Sequence, residues 1–133
     1  MIRNRKEYKI NTLDINKNRG IGISIPFDPV SIFNITYSTK DQIKSNLINF
    51  LLTNKGERVF NVDFGANLRY IVFDQMNNLE ETRQSLSDKI RIYFPTITIN
   101  SLTIDPDYNN NVISIKLNYT VNTQQDSLSI QLV

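Results

Sequence analysis

In the segment Asn111 to Val121, apolar and polar side chains alternate from Ile113 onward. Ile113, Ile115, Leu117, Tyr119 and Val121 share one parity, and Val112, Ser114, Lys116, Asn118 and Thr120 the other. A period of two places the first set on one face of a strand, whereas a helix would scatter the same residues around its axis. The C-terminal part is thereby committed to a sheet with one face on a core and a wetter face outside. Thr96 to Ile104 is a second strand-like segment, and the change of apolar parity between Ile99 and Leu102 predicts a bulge in it. Asp105 to Asn110 reads as the hairpin loop between these two strands. Asn122 to Asp126 reads as a polar turn, and Leu128, Ile130 and Leu132 predict a final strand over 127–133.

Upstream of this meander the period changes. Ile21, Ile23, Ile25 and Phe27 fall on one parity, and Pro26 denies that strand a ladder donor, so an edge strand is expected. Asp28-Pro29 signals a turn, after which Ile32, Phe33, Ile35 and Tyr37 lead to Ser38-Thr39. Thr39 with Gln42 fits a capping box. The helix it opens has Ile43, Leu47, Phe50 and Leu51 as its apolar stripe, Lys44, Ser45 and Asn49 away from it, and Gly56 as its stop. A short helix is expected to carry Leu68, Ile71 and Val72. A longer one starts at Asn78 with Glu81 as box partner, runs through Leu79, Leu86, Ile90 and Tyr93 or Phe94, and ends at Pro95. The order of elements gives an α+β domain: a small antiparallel sheet with helices packed on one face.

Residues 1–20 are polar and charged, with only scattered apolar residues such as Ile10, Leu13 and Ile15 to bury, and read as an N-terminal arm that orders on a partner. Residues 21–133 then form a single domain, long enough to build a core without disulfides. The start has basic residues but no apolar run or small-residue cleavage site, which makes folding in a cytoplasm the default reading. No apolar run is long enough to span a membrane. Cysteine and histidine are both absent, which removes thiolate and imidazole ligands and the usual near-neutral general base. The arm's Arg3, Arg5, Lys6, Lys9, Lys17 and Arg19 invite a nucleic-acid reading. Glu7 and Asp14 interrupt them, no aromatic stacking platform accompanies them, and the formal net charge is +2, so an acidic protein partner fits better.

The segment Thr53 to Asp74 concentrates charge, glycine and aromatic residues. Gly56, Glu57 and Arg58 lie where the first helix stops, and Val59 and Phe60 are expected to anchor their loop to the core. Taken alone, Glu57 and Arg58 are solvated loop charges or half of a surface ion pair contributing under about 1 kcal/mol. The alternative places both in a subunit interface, where truncating one partner of a buried pair costs about 2–5 kcal/mol. In the continuation Asn61 to Ala66, Asp63 can bond backbone amides, Phe64 can plug a pocket and Gly65 permits positive φ; taken alone, a structural turn is the favoured account of all three.

The runs Gly22 to Phe27 and Leu51 to Leu68, with the segment before Ser38 between them, resemble the lysozyme-like baseplate wedge proteins of contractile phage tails and type VI secretion systems. The Leu-Leu-Thr, Gly-Glu-Arg and Asp-Phe-Gly spacing leading to Leu68 and Phe73 carries most of the resemblance, which covers roughly residues 20 to 122. It implies a structural subunit of the tail baseplate, assembled in the bacterial host cytoplasm, whose Gly56-Glu57-Arg58 loop docks on a helical core bundle of neighbouring wedge proteins. It also implies similarity to the conserved domain of tail-sheath subunits, and so initiation of the sheath by strand addition. No cofactor, metal, membrane, nucleic acid or small-molecule substrate is implied. Val62 stands where members of that family usually carry proline.

The word lysozyme in that resemblance raises a peptidoglycan-cleaving glycosidase as the alternative. It needs two carboxyls across a cleft, one of them with a raised pKa. Glu57 and Asp63 are the only suggestive pair, and Arg58 beside Glu57 favours its ionised form, the wrong direction for a general acid. Glu80 and Glu81 are more simply charges at a helix N-terminus.

Overall fold

The computed structural model describes residues 11–25, 27, 29, 30, 33–73 and 78–132. The chain runs through a two-stranded ribbon of β1 (Gly22–Ile23) and β2 (Ile35–Thr36), then helices α1 (Thr39–Leu52), α2 (Leu68–Phe73) and α3 (Leu79–Tyr93). Strands β3 (Ile97–Asp107), β4 (Val112–Val121) and β5 (Gln124–Leu132) follow. The last three form an antiparallel sheet in the order β3-β4-β5. Helix α3 packs on β3, and α1 touches β5 and the ribbon. The fold is α+β with helices on the sheet, as the pattern of periods predicts.

The alternation of β4 is realised in full: Ile113, Ile115, Leu117, Tyr119 and Val121 are all buried. They meet Leu47, Phe50 and Leu51 of α1 and Leu86 and Ile90 of α3 in one core, with Leu102, Leu128 and Leu132 from the flanking strands. The bulge also stands where the parity break puts it. Register shifts between Ile99 and Ser101, and the bulged Asn100 reaches across to Thr120 Oγ1 at 2.9 Å.

Several boundaries differ from the sequence reading. Strand β3 continues through Pro106, which pairs with Ile113, so the hairpin loop shrinks to 108–111. Pro106 is tolerated because β3 is an edge of the sheet. Asp107 closes this loop by accepting from the Asn109 and Asn110 amides at 3.1 and 3.3 Å. The next turn is only Asn122-Thr123, both with positive φ (47° and 71°), the geometry of a tight two-residue hairpin.

At α1 the N-cap is Ser38, not Thr39. Its Oγ accepts from the Asp41 amide at 3.2 Å, while Thr39 donates its amide and hydroxyl to the Asp14 carboxylate at 2.6 and 2.5 Å. Both residues are of capping type, and the Asp14 carboxylate, by engaging Thr39, leaves Ser38 to cap. Gln42 is thereby freed to accept from Thr36 Oγ1 at 2.5 Å, which fastens the ribbon to the helix. Ser45, placed by its polarity outside the apolar stripe, is buried because its hydroxyl receives the Ile25 amide at 3.1 Å. The expected half-buried strand over 21–27 is reduced to the two-residue β1: Ile23 and Phe27 are exposed, Ile21 is half-buried, and Ile25 packs against the core. The calls on Pro26, Asp28, Ile32, Val133 and the arm charges of residues 1–10 lie outside the described residues.

Helix α3 follows its prediction closely. Asn78 caps it through the Glu81 amide at 3.2 Å, and Glu81 returns to Asn78 Nδ2 at 3.2 Å. Phe94 ends it, next to Pro95.

Lys44 of α1 lies 3.5 Å from Asp126 of β5, whose other oxygen accepts from the buried Tyr119 hydroxyl at 3.3 Å. Burial pushes Asp126 up, but the Ser127 amide and the Lys44 and Lys40 ammonium groups outweigh it and hold the carboxyl below its ordinary range. A carboxyl lowered in the folded state contributes stability above its unfolded pKa, and that contribution is lost as pH falls through the folded value. Urea midpoints measured downward from pH 6 are expected to fall below about pH 4. Asp126→Asn is expected to flatten that fall; an unchanged slope would remove Asp126 from the acid response.

A candidate docking loop

Helix α1 does not run on to Gly56. It stops at Thr53, extended at φ −82°, whose amide and hydroxyl both donate to the Asn49 carbonyl at 3.0 and 2.6 Å. The hydroxyl thus satisfies part of what a C-terminal glycine usually arranges. Gly56, at φ +90°, instead turns the loop that follows.

The base of this loop is closed on the last turn of α1. The Ala66 amide donates to the Phe50 carbonyl at 3.0 Å and the Asn67 amide to the Thr53 carbonyl at 3.3 Å. Gly65 has φ +116°, and a Cβ placed on it would stand 2.5 Å from the Thr53 carbonyl oxygen, so this crossing requires glycine. Phe64, 8% exposed, lies edge-on to Phe50 at 5.3 Å and to Tyr93 at 5.4 Å. Phe64 therefore plugs the protein's own core.

One bond across the loop and three tight turns hold its outline. Gly56 N–H reaches the Val62 carbonyl at 2.7 Å, Glu57 that of Asn54 at 3.2 Å, Asn61 that of Arg58 at 3.2 Å and Phe64 that of Asn61 at 3.1 Å. Such a self-bonded segment with adjacent ends is a compact surface loop of the Ω kind.

The charges are fixed as well. Glu57 accepts from the Asn54 amide and side-chain amide, both at 2.8 Å. Those two bonds, with a small contribution from the Arg69 charge, outweigh desolvation and hold its carboxyl below the ordinary range. The Arg58 guanidinium stacks 4.4 Å from the centre of the Phe64 ring. Asp63, expected to bond backbone amides, is instead 3.1 Å from Lys55 Nζ in an exposed pair. Gly56, Glu57, Arg58 and Asp63 thus share one exposed loop, while Phe64 and Gly65 sit beneath it and shape it.

Val59 and Phe60 do not anchor the loop. Val59 is 75% exposed and Phe60 fully exposed, and Val62 joins them at 60%. Apolarity alone gave the sequence no means of telling the inward Phe64 from the outward Phe60; the glycine after Phe64 was the one usable sign. The role of Asn54 was also missed, although its spacing of three from Glu57 is that of a capping box.

The sequence model of the baseplate wedge protein gp25 family matches residues 37–126, well over half of the chain. The chain belongs to the baseplate wedge protein gp25 family. The gp25 match takes in α1, the loop, the three-strand sheet as far as the start of β5, and the helices between, and leaves out the ribbon. Baseplate wedge protein gp25 of Enterobacteria phage T4 is 25% identical over 88 residues, spanning 65% of this chain and 67% of that one.

Two solved structures share the fold. A crystal structure from Geobacter sulfurreducens labelled a tail lysozyme superposes with a TM-score of 0.58 at 20% identity, covering 74% of this chain and 94% of that one. A chain of the anti-feeding prophage baseplate, seen by electron cryo-microscopy, gives 0.52 at 15% identity, covering 82% and 81%. As a gp25-family member the protein is a structural subunit of a contractile-tail baseplate. Among the described residues no helix is long and apolar enough to cross a membrane.

Proposed function

We propose that this gp25-family chain is a non-enzymatic wedge subunit that joins the wedge core to the sheath. Residues 1–20 serve as an arm and 21–133 as the wedge domain. Gly56, Glu57, Arg58 and Asp63 face the helical core bundle of neighbouring wedge proteins, with Phe64 and Gly65 keeping the loop in shape. The observation that carries this reading is the closed loop itself. A segment pinned to the core at both ends and bonded across its middle presents Glu57 and Arg58 with little ordering entropy left to lose on docking.

Sheath initiation by strand addition is supported by an asymmetry between the two sheet edges. Strand β3 carries a bulge and Pro106, both of which discourage pairing, whereas β5 carries neither. The glycosidase alternative finds no support at Glu57 and Asp63. Glu57 is held ionised when a general acid needs a raised pKa, and Asp63 stands beside a lysine.

Wedges purified from cells producing the Glu57→Ala/Arg58→Ala double variant are expected to lack this subunit and to carry no sheath. Because both side chains are exposed, the variant should keep its circular dichroism spectrum and melt within about 5 °C of the wild type. Normal incorporation of the variant would refute docking through this loop.

A further inference from the structure

Phe60 combines two unfavourable conditions. Its side chain is wholly exposed, and its backbone lies at φ +69°, a left-handed conformation strained for a bulky residue. Glycine or asparagine would hold the same turn with less strain, and neither would leave an aromatic ring in water. Val59 and Val62 flank it, both largely exposed, and the Gly56–Val62 and Arg58–Asn61 backbone bonds fix the three as one projection.

We propose that Val59, Phe60 and Val62 form an apolar knob that inserts into an apolar pocket of a neighbouring baseplate wedge protein and supplies most of the loop's affinity. Glu57 and Arg58 then set orientation. This inference rests on the docking reading above and assigns the binding energy within it. Isolated aromatic anchors at interface centres carry a disproportionate share of affinity, while charges around them govern encounter and register. A protein pocket fits better than an anionic lipid surface, because Lys55 and Arg58 are offset by Asp63 and Glu57 and leave the loop without net charge.

The test titrates labelled chain against wedge complexes purified from cells lacking this subunit. Phe60→Gly, which relieves the backbone strain, is expected to weaken binding by at least about thirty-fold. Phe60→Leu is expected to lose less, and both are expected to melt no lower than wild type. Wild-type affinity in Phe60→Gly, with loss in the Glu57/Arg58 double variant, would overturn the knob and leave loop docking standing. Wild-type affinity in both would overturn loop docking and the knob together. A marked fall in the Phe60→Gly melting temperature would make Phe60 a structural residue and overturn the proposal. So would a wild-type dimer, seen by sedimentation without wedge complexes, that Phe60→Gly dissociates: the knob's receptor would then be a second copy.

Discussion

Phe50→Ala is expected to remove about 3–5 kcal/mol of stability, the range for truncating a fully buried aromatic residue. Phe50 has no exposed surface, and its ring stands 5.3 Å from Phe64, 5.3 Å from Tyr93 and 5.7 Å from Phe94. Phe64 from the loop and Tyr93 and Phe94 from the end of α3 meet on it, so none can close the vacancy without leaving its own position. The loss is not confined to global stability. Phe64 fastens the loop over residues 54–65 to α1 by resting on Phe50, so the amides of Asn61 and Phe64 should exchange faster with solvent deuterium than in wild type by more than global destabilisation accounts for. Urea denaturation followed by circular dichroism measures the first effect and hydrogen exchange the second. A loss below about 1.5 kcal/mol would show that the aromatic cluster repacks and that the loop does not depend on it.

Gly65→Ala is expected to be nearly as damaging, at about 3 kcal/mol or more, through a different cause. The added methyl would meet the Thr53 carbonyl, backbone rather than a yielding side chain, and the residue would also have to hold φ +116°. Gly56→Ala is the internal comparison. Gly56 also has positive φ, but open space surrounds it, so only conformational strain of about 1 kcal/mol applies. Thermal melts of the two variants separate the clash from the strain. Equal shifts would show that the α1 terminus moves aside, and with it the base of the loop that follows.

The sheet and helices were legible because their signals are periodic. Five alternating residues on β4, the capping pair Asn78 and Glu81, and the parity break before Leu102 each have one conformational solution. The loop was legible only in part. Its glycines mark backbone that must turn, so Gly65 was correctly read, but nothing periodic distinguishes Phe60 from Phe64. The sequence reading sent Phe60 inward and let Phe64 plug a pocket, and the structure leaves Phe60 outside and packs Phe64 on Phe50 and Tyr93. The ribbon was legible only in part for a related reason: Ile21, Ile23, Ile25 and Phe27 share a parity, but alternation does not say how much of the strand the core reaches, and Ile25 packs against it while Ile23 and Phe27 stay exposed. The one-residue error at the α1 cap arose because Ser38 and Thr39 are both capping residues. The Asp14 carboxylate that distinguishes them comes from 25 positions upstream.

Helix α1 is fastened at both ends: Asp14, Gln42 and Ser45 tie its beginning to the N-terminal segment and ribbon, and Thr53 with Phe50 ties its end to the loop. Its fourteen residues therefore act as a gauge block of about 20 Å. One inserted residue would advance the far end by only about 1.5 Å but swing it by about 100° around the axis. Substitution can change the composition of this helix while the two surfaces keep their relation; a change of length cannot. Insertions and deletions accumulating over descent thus have room at the Tyr108–Asn111 turn, which faces solvent and joins neighbouring strands, and none between Ser38 and Thr53.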